Sequence, residues 1–259
     1  MLEINHLFKV YEGATSPAVS DFNLTVETGE FVSLIGPTGC GKTTVLRTVT
    51  GLLPPTRGEV LLDGKLSLKP SPEKGIVFQM FNLFPWRTAL GNVAYGLEMQ
   101  GVAKKERLER AAEYLRLVGL SDRMKHYPHQ LSGGQNQRVG LARALAIKPK
   151  LMLMDEPFGA LDALTREYLQ GMVQRICAQT RLTVLLVTHS VDEAIFLSDR
   201  IIVMGNQGRV IRELAVDLPR PRDDVDWRAT DEYTRLRAEV WSLLKHELRY
   251  DPAVVGAPA

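Results

Sequence analysis

The first thirty or so residues alternate between apolar and polar side chains. The apolar positions include Leu2, Ile4 and Leu7 and, further along, Phe22 and Leu24. Because successive side chains of a strand point to opposite faces, this alternation predicts antiparallel strands with one exposed face. We therefore expect the chain to begin with an antiparallel β subdomain.

A continuous apolar segment follows, from Phe31 to Ile35, and it is typical of a strand buried on both faces. A glycine-rich loop comes next, and a helix is predicted from Lys42 to Thr50, ending at Gly51. Residues 57 to 78 return to short strands, with a turn at Asp63-Gly64.

The period of the apolar residues changes to that of a helix between Thr88 and Ile147, with Leu97, Leu115 and Val118 on its core faces. We interpret these residues, approximately 88 to 147, as an inserted helical subdomain.

Strand-like segments return at Leu151 to Met154 and Leu182 to Val187, separated by a helix predicted from Ala163 to Gln179. Alternation of strands and helices predicts an α/β fold with a mostly parallel sheet. We assign residues 1–220 to this domain.

A linker is predicted around Pro219 and Pro221, so residues 221–259 form a separate C-terminal helical tail. Its helix is predicted from Ala229 to Leu248. Helical spacing of its apolar side chains favours local core packing, with Tyr233, Leu236, Val240, Leu243 and Leu244 as the packed positions.

Composition excludes several classes of protein. Hydrophobic residues make up 45% of the 259, which is enough for a sizeable core, and 32 basic residues nearly balance 30 acidic ones. No overall field favours nucleic acid, and we expect no nucleic-acid partner. Two cysteines, Cys40 and Cys177, are too few for a disulfide framework and fit a reducing cytoplasm. No signal peptide or run of about 18 apolar residues is expected, so a partner would supply any membrane span.

Three segments carry the candidate chemistry. The first is the loop GPTGCGKT, Gly36 to Thr43, between a predicted strand and a helix. Its glycines let backbone N–H groups converge on phosphate oxygens, and the helix N-terminus adds partial positive charge. Lys42 would reach the β- and γ-phosphates, and the Thr43 hydroxyl would bind Mg²⁺. An ordinary turn is the alternative, which the strand-loop-helix context disfavours.

The second segment, LMLMDE, places Asp155 at the end of a buried strand, from which a carboxylate can hold Mg²⁺ through water. Glu156 follows directly and could orient or deprotonate an attacking water. The alternative is an ordinary solvated pair of acidic residues, at which many strands end. The presence of the phosphate loop disfavours this alternative.

The third segment, LSGGQ, begins where Ser132 can cap a helix, and its glycines leave the N-terminus open to a large anion. A plain helix cap is the alternative. Gln79 and His189 are each predicted to close a strand, where ligand chemistry gathers in α/β sheets, although either could be a satisfied polar group.

Together these residues resemble the ATP-binding subunit of an ATP-binding-cassette (ABC) transporter over roughly residues 1 to 220. The matching motifs are Walker A (Gly36 to Thr43), the glutamine loop (Gln79), the signature (Leu131, Ser132, Gly133, Gly134 and Gln135), Walker B with its glutamate (Leu151 to Glu156), the aspartate loop (Asp162) and the switch histidine (His189). The resemblance implies a P-loop NTPase fold with a RecA-like core, and ATP and Mg²⁺ as ligands.

The resemblance also implies residue roles. The residues expected to bind ATP are Tyr11, Gly36, Pro37, Thr38, Gly39, Cys40, Gly41, Lys42, Thr43 and Thr44, with Tyr11 stacking on adenine. Thr43, Gln79 and Asp155 are expected to serve Mg²⁺. The catalytic residues are expected to be Lys42, Gln79, Glu156 and His189. Tyr11 has the alternative of a half-exposed strand tyrosine.

A head-to-tail dimer is implied, with ATP held between Walker A of one chain and the signature of a second copy. Asp162 would lie across that interface. ATP bound in the loop would also shield Cys40 from thiol reagents.

A narrower resemblance to the nitrate, sulfonate and taurine importer group rests on FNLFPW (Phe81 to Trp86), EPFGALDALTR (Glu156 to Arg166), VTHSVDEAIFLSDR (Val187 to Arg200) and VDLPRPRD (Val216 to Asp223). It implies import of a small anion, a permease docking near Gln79 to Trp86, an indirect solute-binding protein, and a place on the cytoplasmic face of the membrane. Core filling by these apolar residues is the alternative to docking.

Two other functions are open. An ABC protein of DNA repair or translation is disfavoured because the chain has no long coiled coil, zinc site or second cassette. A regulatory module without turnover is disfavoured by Glu156 and His189.

Overall fold

The computed structural model describes residues 1–220, 222 and 226–249. The chain divides into two compact units, Met1–Pro70 with Cys177–Ala259, and Ser71–Ile176. Pro221, residues 223–225 and residues 250–259, which belong to the predicted linker and tail, lie outside the described residues. The division into a domain of residues 1–220 and a tail of residues 221–259 stays a prediction.

The strands, numbered along the chain, are β1 (Leu2–Lys9), β2 (Val19–Val26), β3 (Phe31–Ile35), β4 (Arg57–Leu62), β5 (Lys65–Leu66), β6 (Lys74–Val77), β7 (Leu151–Asp155), β8 (Thr183–Thr188), β9 (Arg200–Met204) and β10 (Val210–Ala215). The helices are α1 (Lys42–Thr50), α2 (Ala89–Met99), α3 (Lys104–Leu117), α4 (Gly133–Ala146), α5 (Ala163–Thr180), α6 (Val191–Leu197) and α7 (Asp231–Arg249).

The first unit contains an antiparallel sheet in the order β2-β1-β4-β5. Leu2, Ile4 and Leu7 of β1 are buried, as are Phe22 and Leu24 of β2. The alternating segments are therefore antiparallel strands, as predicted, and their apolar side chains lie on the buried face of the sheet.

The first unit also contains a parallel group of strands. Strand β3 lies between β8 and β9 and is parallel to both, while β10 is antiparallel to β9. All five residues of β3 are buried, which explains its unbroken apolar character. Ile35 pairs with Thr188, so the loop after β3 and His189 after β8 leave the sheet at the same edge. Ligand sites of α/β sheets lie at this carboxyl edge.

The second unit combines the parallel pair β6 and β7 with helices α2 to α5. Helices α2, α3 and α4 fall inside the stretch predicted as helical, and all three pack on one another. Strand β6 ends at Val77, which pairs with Met154 at the last position of the ladder. The predicted end of this strand at Gln79 is therefore wrong. Gln79 is exposed in the loop beyond it.

The tail helix begins two residues later than predicted. Trp227–Ala229 forms a short 3₁₀ turn, and the Thr230 hydroxyl accepts a hydrogen bond from the backbone N–H of Tyr233 at 3.2 Å. This hydroxyl caps the helix that starts at Asp231. Burial confirms the predicted packing of Tyr233, Leu236, Val240 and Leu244, while Leu243 is half-buried.

Candidate functional site

The loop between β3 and α1 is closely packed on one side and open on the other. A Cβ on Gly36 would come within 2.4 Å of the Met204 carbonyl oxygen, and one on Gly41 within 2.6 Å of the Ala18 carbonyl oxygen. Gly39 has a φ of +83° and no neighbour within 4 Å of the corresponding position. The loop can therefore turn its backbone toward a ligand without side-chain obstruction.

Lys42 holds a positive charge inside this loop. Its side chain is buried, and Nζ donates to the carbonyl oxygens of Gly36 at 2.7 Å and Pro37 at 2.8 Å. Thr43 and Thr44 are half-buried on the first turn of α1. An ammonium, a helix N-terminus and open backbone N–H groups make this place suited to phosphate.

Cys40 lies beneath the loop. Its side chain is fully buried, with Sγ 3.8 Å from Lys42 Nζ, and burial raises the pKa of the thiol. Only its backbone is available to a phosphate. The expectation that ATP shields an otherwise reactive Cys40 is wrong, because the protein itself already covers the thiol.

Tyr11 lies beside the first turn of α1. Its hydroxyl is 3.2 Å from the Thr44 hydroxyl, and 43% of the residue is exposed. An exposed aromatic ring next to the phosphate loop offers a surface on which a base could stack.

The backbone around His189 is fixed by its neighbours. Ser190 caps α6 by accepting from the Glu193 N–H at 3.3 Å, and the Ser190 N–H donates to the Thr188 hydroxyl at 3.0 Å. The Thr188 hydroxyl also bonds the buried Glu193 carboxyl group. His189 is exposed between these capping residues, at the carboxyl end of β8.

In the second unit, Asp155 ends β7, as predicted, and Glu156 follows it with a φ of +46°. Both residues are half-buried. Positive φ is unfavourable for a residue with a long side chain, so the chain turns sharply at Glu156. The Gly159 N–H donates to the Glu156 carbonyl at 3.2 Å and closes the turn.

The signature segment caps α4 as predicted. The Ser132 hydroxyl accepts from the Gln135 N–H at 3.3 Å, and the Gln135 side chain accepts from the Ser132 N–H at 2.9 Å. Leu131 is buried, whereas Ser132 and Gly133 are exposed. This reciprocal pair is a capping box, and it leaves the helix N-terminus facing outward.

Two contacts connect the signature helix to other residues of the second unit. A Cβ on Gly134 would come within 2.4 Å of Thr165 Cγ2, so only glycine fits without a shift. The Gln137 side-chain amide donates to the carbonyl of Pro157, the residue after Glu156.

Asp162 caps α5. Its carboxylate accepts from the Thr165 N–H at 3.0 Å, and this hydrogen bond lowers the pKa of the carboxyl group. Asp162 is exposed. Its local role is therefore to cap a helix, and the predicted contact with a second copy stays a prediction.

The apolar segment after Gln79 divides into exposed and half-buried members. Met80 and Trp86 are 75% and 71% exposed, whereas Phe81, Leu83 and Phe84 are half-buried. The half-buried residues contribute to packing, whereas a docking role of exposed Met80 and Trp86 stays a prediction.

Two polar side chains that the sequence analysis did not select hold this segment. Buried Asn92 accepts from the Phe84 N–H at 2.8 Å and donates to three carbonyls, those of Phe84, Arg87 and Thr88. Arg143 donates to the carbonyls of Asn82 at 2.7 Å and Phe81 at 3.2 Å. A buried asparagine at helix spacing looks like any other polar residue, so the sequence carried no signal for this role.

These features identify the family when they are set beside known proteins. A family model described as ABC transporter matches residues 19–159, from β2 through the turn at Glu156. The chain belongs to the ABC transporter family. It is the ATP-binding subunit of such a transporter, an ATPase.

Relatives of this ABC transporter subunit cover nearly its whole length. An uncharacterised ABC transporter ATP-binding protein of Methanocaldococcus jannaschii is 46% identical over 95% of this chain and 92% of the relative. A taurine import ATP-binding protein of Escherichia coli is 46% identical over 85% of this chain and 86% of its own. A nitrate import ATP-binding protein of Synechococcus elongatus is 42% identical over 96% of this chain, which spans only 39% of that longer relative.

A solved structure supports the same assignment. An ATP-binding cassette, solved as a dimer in a post-hydrolysis state with bound ADP and phosphate, is 36% identical, with a TM-score of 0.75. The match covers 85% of this chain and 100% of that one. The predicted α/β fold of a P-loop NTPase is confirmed. None of the helices in the described residues combines the length and the apolar character of a membrane span.

Proposed function

We propose that two copies of this chain close head to tail around ATP and drive a membrane permease that imports a small anion. One observation supports this most strongly: the chain has a complete phosphate loop at α1 and a second open, serine-capped helix N-terminus at α4. A nucleotide bound by one chain alone would need only the phosphate loop and not the second helix N-terminus. A shared site explains why Ser132 and Gly133 are exposed.

Each site residue then has a role. Lys42 and the loop backbone hold the phosphates, and Tyr11 stacks on adenine. Glu156 orients the attacking water, and His189 supports the γ-phosphate. Ser132 and Gly134 contact that phosphate from the second copy, and Asp162 lies at the interface.

Magnesium suits the available donors. The Thr43 hydroxyl, the Gln79 amide oxygen and the Asp155 carboxylate are oxygen ligands, which Mg²⁺ prefers, and a site with few protein ligands suits an ion shared with ATP phosphates. The ion would neutralise phosphate charge during hydrolysis.

The proposed permease contact is the segment from Gln79 to Trp86. Exposed Met80 and Trp86 would insert into the partner, while Asn92 and Arg143 hold the backbone beneath them. The chain would then lie on the cytoplasmic face of the membrane. The names of the nitrate and taurine import relatives support nitrate or taurine as cargo. An alkyl sulfonate is the other cargo that we propose, and a solute-binding protein would deliver the anion.

The Glu156→Gln variant tests the catalytic half of this proposal. We expect turnover to fall by roughly 10²- to 10⁴-fold while ATP still binds, because the amide keeps the shape of the side chain but cannot accept a proton. Because this variant hydrolyses ATP slowly, the dimer closed around ATP is expected to accumulate. Light scattering with Mg²⁺ and ATP measures its mass.

Glu167→Gln is the matched control, because Glu167 is an exposed glutamate on α5, and it is expected to keep wild-type turnover. Unchanged ATPase activity in Glu156→Gln would overturn the assignment. A monomer at saturating ATP would count against the shared site.

A further inference from the structure

The chain segment after β10 holds the C-terminal end of helix α6. Arg222 is 2% exposed, and its guanidinium donates at 2.7 to 3.3 Å to a group of backbone carbonyls. The acceptors are the carbonyls of Ile195, Phe196, Ser198, Val216 and Leu218. The last carbonyls of a helix have no partner within the helix, so Arg222 satisfies the end of α6 and ties it to the segment after β10.

Arg222 keeps its charge in this buried position. Burial lowers the pKa of its guanidinium to about 10, which still leaves it protonated near neutral pH. A buried cation surrounded by carbonyl dipoles is a fixed contact, because losing any of these hydrogen bonds would leave a polar group unsatisfied.

Helix α7 holds the other end of α6. Asp192, in the first turn of α6, accepts hydrogen bonds from the Tyr233 hydroxyl at 2.8 Å and from Arg237 Nε at 3.2 Å. Burial, followed by the hydrogen bond to Asp192, raises the pKa of Tyr233 to about 12, so the hydroxyl remains a donor at neutral pH.

An aromatic cluster joins the C-terminal part of α6 to α7. The ring of Trp227 lies 5.0 Å from that of Phe196 on α6 and 4.8 Å from that of Tyr233 on α7, measured between centroids. Edge-to-face and tilted contacts at these distances favour one relative orientation of the rings. Helix α6 is therefore held near its start by α7 and near its end by Arg222 and the aromatic cluster.

The residue before the cap of α6 is His189. Only Ser190 separates it from Val191, the first residue of the helix. The hydrogen bonds of the cap connect the end of β8 directly to the first turn of α6. A tilt or shift of α6 would move the backbone of His189.

We infer that Arg222, Tyr233 and Arg237 are positioning residues that fix helix α6 and thereby place the His189 imidazole for ATP hydrolysis. This inference rests on the proposed role of His189. It gives the tail a role in positioning His189, whereas the sequence analysis favoured local packing alone. The two interpretations differ in what they predict for turnover, because packing alone would change stability without changing the chemistry of His189.

The test compares Tyr233→Phe and Arg237→Gln with the control Arg235→Gln in the full chain. Tyr233→Phe removes only the hydroxyl and keeps the ring contact with Trp227. Arg235 lies on the same helix, and its guanidinium donates to Glu232 and Glu239 of α7 rather than to a residue of α6. We expect kcat to fall on the order of tenfold in Tyr233→Phe, with KM for ATP within about twofold of wild type, since small displacements of catalytic groups are costly. The Arg235→Gln variant should be unchanged.

A double-mutant cycle with His189→Ala gives the decisive comparison. In the His189→Ala background, Tyr233→Phe is expected to lower kcat no further, because both changes affect the same group. The same loss in both backgrounds, or unchanged kcat in Tyr233→Phe, would overturn the inference.

The NMR signal of the His189 ring provides a readout independent of turnover. Its Hε1 resonance is identified by its loss in His189→Ala, and it is expected to shift in Tyr233→Phe but not in Arg235→Gln. An unmoved resonance would overturn the inference even where His189→Ala leaves too little activity for the cycle.

Failure of the proposed function looks different. Wild-type turnover in Lys42→Ala would overturn the ATPase site itself, and wild-type turnover in His189→Ala would overturn both the role of His189 and the inference. Inactive Lys42→Ala and His189→Ala variants with an unmoved His189 resonance would overturn the inference alone.

Discussion

Glu156 has the left-handed backbone conformation at the end of β7, which costs an L-residue with a side chain of this size about 1 to 3 kcal/mol. Such a conformation persists where the surrounding structure enforces it. The Gly159 turn and the Gln137 hydrogen bond to Pro157 provide that constraint. Backbone strain is thus located at the residue proposed to act on water, and the neighbouring contacts keep it there.

Both thiols are predicted to be inert in the folded chain. Cys40 and Cys177 are buried, and burial raises the pKa of each, that of Cys177 to about 12. Since the thiolate is the reactive form and its pKa lies above the usual value, reaction at pH 8 is expected to be slow with or without ATP. A chromogenic disulfide reagent measures this.

The unfolded chain is the control, and both thiols are expected to react rapidly in guanidinium chloride. Fast labelling of a thiol in the folded chain, suppressed by ATP, would contradict the buried position of Cys40. It would support the expectation from the sequence that ATP shields this thiol.

Elements with matching local signals could be predicted closely from the sequence. Helix α1 has the predicted bounds because the phosphate loop starts it and Gly51, at a φ of +82°, ends it. The predicted cap at Ser132 is present because serine at that position satisfies the first N–H groups of α4. In both cases the sequence at the helix end determines the structure there.

Other elements had no comparable signal. Helix α6 has only seven residues, too few for a helical period to stand out, and the predictions did not include β9 or β10. The role of Arg222 was also missed. An arginine in a proline-bearing segment is expected at the surface, and only the tertiary structure brings the carbonyls of α6 and the segment after β10 around it.

The two signature glycines are predicted to differ in their tolerance of a methyl group. Gly134→Ala is expected to destabilise the chain by about 1 to 3 kcal/mol, because its Cβ would lie 2.4 Å from Thr165 Cγ2. Gly133→Ala is the matched control, since its nearest neighbour, Phe81 Cζ, is 3.7 Å away. Denaturant unfolding measures both.

A second substitution checks the cause. Thr165→Ser removes the opposing methyl group and is expected to restore most of the stability lost in Gly134→Ala. Equal stability of the two alanine variants, or no rescue by serine, would show that the close packing of Gly134 on Thr165 is not what requires glycine there.

At the scale of the molecule, the nearly balanced charge and the apolar residues after Gln79 fit a subunit whose partners are proteins. Its ATPase family follows from motifs that are local in sequence. Its cargo cannot be predicted in this way, because the proposed route of the cargo lies in other chains and this chain need not contact it. The shared nucleotide site is therefore the claim about the whole molecule that this chain can test.

The most direct measurement mixes a Lys42→Ala chain with a Ser132→Arg chain and follows ATP hydrolysis. Each variant alone is expected to be nearly inactive, because every site in its dimer has one defective half. In a mixed dimer, the intact loop of one chain meets the intact signature of the other. With random pairing, half of the dimers have one working site of two, so the mixture is predicted to recover about a quarter of wild-type activity. A mixture no more active than the separate variants would contradict the shared site.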